Sequence, residues 1–247
     1  MATRSPLVFA FALAFAGFII LPGLLGMPFQ PYPLIHWADL LDLFTPLVLI
    51  PLYWLLFRDP TGENKATKPI LAFLLLAALW IEGQGMHLSA NSISNLLGSG
   101  SSAVHQLVHF YDEVLSHYLW HLAIIGFSVL LLLRVGVPAK GTAVHWGLIA
   151  PAALLYGFTY FVAVIEGATV PLGLPAAGLL VLWLLFSKRP QARAHNLAGF
   201  FLAGYGLALV LFLVWWQAPA CWSSRSSSSG EWPDSCPRVG FAAAGGS

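Results

Sequence analysis

Residues 196–216 read NLAGFFLAGYGLALVLFLVWW, an apolar run without a charged side chain. A helix rises about 1.5 Å per residue and the hydrocarbon core of a bilayer is about 30 Å thick, so about 20 such residues cross it. Six earlier predominantly apolar runs, with charged residues only at or near their ends, lie at 7–25, 40–57, 70–82, 113–133, 144–166 and 172–186. The strands of a membrane barrel would alternate apolar and polar residues, whereas these runs are apolar on every side. The expected class is all-α: a polytopic integral membrane protein with seven transmembrane helices.

Composition supports the same class. Of 247 residues, 58% are hydrophobic and only 9% charged, with a mean hydropathy of +0.79. A soluble domain carries roughly 25% charged residues, and so little charge could not cover a water-exposed surface. The formal net charge of +1 supplies no field for a polyanion. No nucleic-acid partner is therefore expected; the expected partners are membrane lipids and a lipid or other apolar small-molecule substrate.

Basic residues orient the chain. Arg4, then Arg58, Lys65 and Lys68, then Arg134 and Lys140, then Lys188, Arg189 and Arg193 fall at the N-terminus and in every second connection. The intervening connections contain no Lys or Arg. By the positive-inside rule this alternation predicts a cytoplasmic N-terminus and an outside C-terminus, and it holds only for an odd number of spans. The run at 7–25 resembles the apolar region of a signal peptide but exceeds the roughly 7–15 residues usual there, so it is read as a retained first helix. The chain divides into a seven-helix domain at 1–217 and a Ser/Gly-rich tail at 218–247, which its composition predicts to be disordered. Cys221 and Cys236 both lie in that tail, which leaves no thiolate ligand among the helices.

Given this topology, the ionisable residues gather at one end. Asp39 and Asp42 open the second run, Glu82 closes the third, Asp112 and Glu113 open the fourth, and Glu166 closes the fifth. These are six of the 10 acidic residues, all on the non-cytoplasmic side. His36, His87, His105, His109, His117 and His121 join them, while His145 and His195 fall near the cytoplasmic side. Charges at membrane depth are costly unless paired, so such a cluster marks a functional site. Asp39 and Asp112 also suit helix N-termini, where they would cap free N–H groups. Glu82 and Glu166 are read at helix C-termini, where the dipole disfavours them, so both are expected to face partners inside the bundle. They share the tripeptide Ile-Glu-Gly, at 81–83 and 165–167.

The densest segment runs from His105 to His121, with His105, His109, Glu113, His117 and His121 spaced by four. Residues i and i+4 of a helix share a face, so His117 and His121 are candidate ligands of one metal ion, with Glu113 one turn above as ligand or base. Imidazole and carboxylate donors suit a transition metal, zinc or iron foremost. Between the third and fourth runs lies a connection of nearly thirty residues, longer than a simple turn requires. It carries His87 as a further candidate ligand and Asn91 as a candidate substrate-orienting group. A continuing or re-entrant helix could aim Glu82, His87 and Asn91 toward the fourth run, while a solvated Ser/Gly loop fits the second half better than the first. The candidate catalytic residues are Glu113, Glu82, Asp112, Glu166 and Asn91, and the candidate metal ligands are His117, His121, His87 and Glu113.

Seven spans with an HxxxH pair and acidic residues resemble the membrane hydrolases that include alkaline ceramidases and adiponectin-receptor-like proteins. That family carries HxxxH on its last span, whereas here it opens the fourth. The order of motifs does not match, and the likeness is one of chemistry. The expected function is a membrane-embedded, metal-dependent hydrolase or oxidoreductase acting on a lipid or apolar substrate. Two alternatives stand beside it: a transporter or proton- or metal-conducting protein, and a b-type haem protein with His117 or His121 axial.

Overall fold

The computed structural model describes residues 5–58, 67–97, 102–134, 144–187 and 196–216. The tail, both cysteines, His195 and several of the basic connections lie outside the described residues. In chain order the helices are α1 (Ser5–Ile20, continued by a 3₁₀ turn Leu21–Leu24), α2 (Trp37–Phe57), α3 (Thr67–Leu97) and α4 (Ala103–His109). A π-helical segment, Phe110–Leu115, joins α4 to α5 (Ser116–Arg134), followed by α6 (Trp146–Glu166), α7 (Val170–Phe186) and α8 (Asn196–Trp216). No strand occurs among the described residues, only an isolated bridge between Pro28 and His36.

Six helical units are long and apolar enough to cross a membrane: 5–24, 37–57, 67–97, 103–134, 146–166 and 196–216. These lengths suit an integral membrane protein. The apolar α7, with 17 residues, is shorter, and at 1.5 Å per residue it extends about 25 Å.

Two helix ends differ from the expectation. The third helix does not stop at Glu82 but runs on through Gly83 and Gly85 to Leu97. The long connection is thus mostly helix, with Ser89 and Ser92 returning their hydroxyls to the carbonyls of Gly85 and Leu88 at 2.8 and 2.9 Å. Nor does the fourth helical unit open at Glu113. Ser102 caps α4 by accepting the His105 N–H at 3.2 Å, and helix continues from there into α5. At the start of α2 the capping expectation holds, because the His36 N–H donates to Asp39 Oδ2 at 2.6 Å.

The helices pack as α3 on α5, α6 between α1 and α8, α7 on α8, and α2 across α1 and α3. Between lipid-facing helices the apolar driving force is weak, so association depends on close packing and interhelical hydrogen bonds. Both occur here. Gly157 of α6 faces Gly204 of α8 so closely that a Cβ at 157 would overlap the Gly204 carbonyl. Nearby, Tyr205 Oη donates to Ser128 Oγ at 2.7 Å and lies 3.0 Å from Tyr156 Oη, linking α5, α6 and α8. Buried rings fill the remaining centre, with Tyr53 stacked on Phe127 at 4.6 Å and Phe15 against Tyr156 at 4.8 Å. Leu13, Leu74, Leu75, Leu154 and Leu213 are exposed on the outside, as a lipid-facing surface requires.

Candidate functional site

The π-helical segment decides which acid enters the site. Its wider turn shows in the Ser116 N–H, which bonds the carbonyl of Tyr111, five residues back. Regular α-helix would set Glu113 one turn above His117; the extra residue per turn brings Asp112 there instead. Asp112 is accordingly buried and Glu113 half-buried. The buried Ser116 hydroxyl donates to the Asp112 carbonyl within the widened turn.

A glycine sets the approach of α3. At Gly83 a Cβ would stand 2.8 Å from the Ser116 carbonyl oxygen and 2.9 Å from the Trp120 nitrogen, so the backbones of α3 and α5 touch there. One turn further on, His87 meets the π-helical segment, with Nδ1 2.8 Å from Asp112 Oδ1. The two atoms are at ion-pair distance although the N–H is not aligned on the oxygen. Asp42 of α2 lies near enough to His87 and Asp39 to feel their charges. From His87 a row of imidazoles leads inward, with ring centroids 4.9 Å from His87 to His117 and 6.1 Å from His117 to His121.

The inner end of the row is closed by the turn after α6. The Thr169 N–H bonds the Val164 carbonyl at 3.0 Å and the Ala168 N–H bonds the Ile165 carbonyl at 3.2 Å, the pair of bonds of a Schellman motif. That motif needs a left-handed residue after the helix, usually glycine. Here the position is Ala168, at φ 50°, while the glycine stands one place earlier, at Gly167. The reason is the imidazoles: a Cβ at Gly167 would lie 2.9 Å from both His117 Nδ1 and His121 Cε1. Glycine thus occupies the place the histidines require, and alanine takes the strained conformation, at a cost of about 1–2 kcal/mol. Ala168→Gly is therefore expected to raise stability by roughly 1 kcal/mol without disturbing the site, read as a higher denaturation midpoint in detergent. An unchanged or lower midpoint would show that the conformation carries no strain.

His121 has no exposed surface. Its Nδ1 is 2.7 Å from Thr169 Oγ1, its ring lies against Trp120 at 3.9 Å, and its Nε2 has no hydrogen-bond partner. His117 Nδ1 rests against the Gly167 backbone without a well-aligned hydrogen bond. Leaving such an atom unpaired in a buried setting costs about 1–3 kcal/mol, which a bound ion, water or substrate group would recover.

The structure thus brings together His87, Asp112, His117 and His121 from the expected residues. It corrects the expectation for the two C-terminal glutamates. Glu82 lies within α3, and both it and Glu166 are exposed, so neither turns into the bundle. The contribution of the shared Ile-Glu-Gly tripeptide comes from Gly83 and Gly167, which admit the α5 backbone and its two imidazoles. Asn91 bonds to α2: its amide donates to Asp39 Oδ1 at 3.3 Å and ties α3 to that helix. His109 is exposed on α4. Among the described residues, no three His, Cys, Asp or Glu side chains surround a single point as a ligand sphere. Sequence reasoning missed Thr169, which nothing marks before folding, and omitted Asp42 from the candidates although it follows Asp39 by three residues on the same helix face. Comparison with protein-family models, with curated proteins and with solved structures finds no match.

Proposed function

We propose that the protein crosses the membrane seven times, α7 included, with the N-terminus cytoplasmic and the His/Asp row on the non-cytoplasmic side. In this reading it is a metal-dependent membrane enzyme, hydrolase or oxidoreductase, acting on a lipid or apolar substrate. The observation that carries the proposal is the fully buried His121, held at Nδ1 by Thr169 with Nε2 unpartnered. Metal-binding histidines are oriented in this way, the second nitrogen bonded to a protein group. His117 and Asp112 are the nearest further donors, and His87 completes the set. Ring separations of 4.9 and 6.1 Å lie close to the roughly 5–6 Å that two imidazoles sharing one ion at about 2.0–2.1 Å would adopt. Ligation would require His117 and His87 to turn their nitrogens toward that point. The ion would supply an activated water or a site for oxygen chemistry, and Asp112 or Glu113 would take the proton.

A second reading is favoured by the arrangement as a row. Asp42, His87, Asp112, His117 and His121 succeed one another from the helix ends inward, as the groups of a proton relay do. The two readings separate on the purified protein. Elemental analysis with an absorption spectrum in detergent is expected to show stoichiometric zinc or iron, and epitope tags beside Ser99 and beside Lys65 are expected on opposite faces, the first outside. Absence of metal would leave the relay, and a haem spectrum would replace both readings; a tag at Ser99 found inside would overturn the orientation.

A further inference from the structure

We infer that Thr169 is the positioning residue of His121, fixing it in the tautomer that carries its proton on Nδ1 and leaves a lone pair on Nε2. The inference deepens the proposed metal site and rests on that reading for its consequence, though not for its geometry. Three observations carry it. The Thr169 hydroxyl is 2.7 Å from His121 Nδ1, and both residues are without exposed surface. The same hydroxyl also lies 3.4 Å from the Val164 carbonyl, an atom that can only accept. A threonine hydroxyl has one proton to give. With that proton directed at Val164, the oxygen receives the Nδ1 proton of His121, and Nε2 is unprotonated. The third observation is the turn itself, in which Gly167 leaves room for the two rings and Ala168 accepts a left-handed conformation, so that Thr169 arrives beside His121.

The consequence is chemical. The Nδ1–H form presents Nε2 to a divalent transition metal without first releasing a proton, and in the metal-free protein the same atom is a proton acceptor. Imidazole in water prefers to carry its proton on Nε2, so the tautomer expected here is one that the protein imposes.

The test uses full-length protein with ¹⁵N-labelled histidine in detergent at neutral pH without added metal. Long-range ¹H–¹⁵N spectra, assigned through the signals lost in His121→Ala, are expected to show His121 with the proton on Nδ1. In Thr169→Val, which keeps the shape and removes the hydroxyl, the population is expected to shift toward Nε2–H, and zinc affinity to fall about 10–100-fold. Thr169→Ser is expected to restore both. Wild-type His121 protonated on Nε2, or a tautomer unchanged in Thr169→Val, would overturn the inference whatever the metal content. The expected tautomer in a protein that binds no zinc would support the inference and overturn the metalloenzyme reading instead. Should Thr169→Val fail to fold, the wild-type tautomer alone decides.

Discussion

Replacing His121 by Ala is expected to reduce bound metal by at least about tenfold while leaving the helical bundle intact. The size follows from the role: loss of a group that only orients a ligand already costs roughly 10–100-fold in metal affinity, and His121 is the ligand itself. His121 is the one imidazole of the row that is wholly buried, anchored on one side and unpartnered on the other. Removing its ring leaves a cavity beside Trp120, which lies 3.9 Å away, so a loss of about 2–4 kcal/mol in stability accompanies the change. Asp112→Asn keeps the shape and removes the charge facing His87, and is expected to lower occupancy as well. His109→Ala is the control, because His109 is exposed on α4. Elemental analysis of the four proteins, purified in parallel, is the measurement. Equal metal in His121→Ala and wild type would remove the site from this row, and equal loss in His109→Ala would point to a general effect of unfolding.

The second large effect is expected at Gly157. An added Cβ would overlap the carbonyl of Gly204, a backbone atom that cannot swing aside, so α6 and α8 must separate. Gly157→Val is expected to destabilise the bundle by about 3 kcal/mol or more, the upper part of the range for overpacking. Separation would also stretch the 3.0 Å contact between Tyr156 and Tyr205, so the loss includes an interhelical hydrogen bond. Gly206 provides the comparison: it is on α8, two residues from Gly204, and a Cβ there meets nothing within 4 Å. Gly206→Ala is expected to be neutral or slightly stabilising, since alanine favours helix by about 1 kcal/mol over glycine. Detergent-to-denaturant unfolding followed by tryptophan fluorescence distinguishes them. Similar midpoints for the Gly157 and Gly206 variants would show that the α6–α8 contact does not limit stability.

Much of the helical architecture was legible because a bilayer imposes one requirement on sequence, a long apolar run, and each run is read by itself. The ends were less legible. The residues after Glu82 left a continuing helix and a Ser/Gly loop both open, and α3 continues to Leu97, with Gly83 the point where the α5 backbone comes to rest and the hydroxyls of Ser89 and Ser92 bonded within the helix. For the site, the four-residue spacing of His117 and His121 correctly placed both on one buried face. The same spacing pointed to Glu113, and the π-helical turn delivered Asp112, since a change in hydrogen-bond register leaves no mark on composition or period.

From sequence alone came the all-helical class, seven apolar runs of which six fall in helices long and apolar enough to cross a membrane, and the gathering of acid and imidazole near one end, all consequences of local composition and helical period. Only the tertiary structure decided which of those groups meet. It turned Glu82 and Glu166 outward, seated Gly83 and Gly167 against α5, and carried Thr169 to within 2.7 Å of His121 across 48 residues of chain. The physical reason is that a contact between helices depends on crossing geometry and on the few places where a backbone can come close. Those places are set by pairs of distant residues, which a pattern read along one helix does not contain.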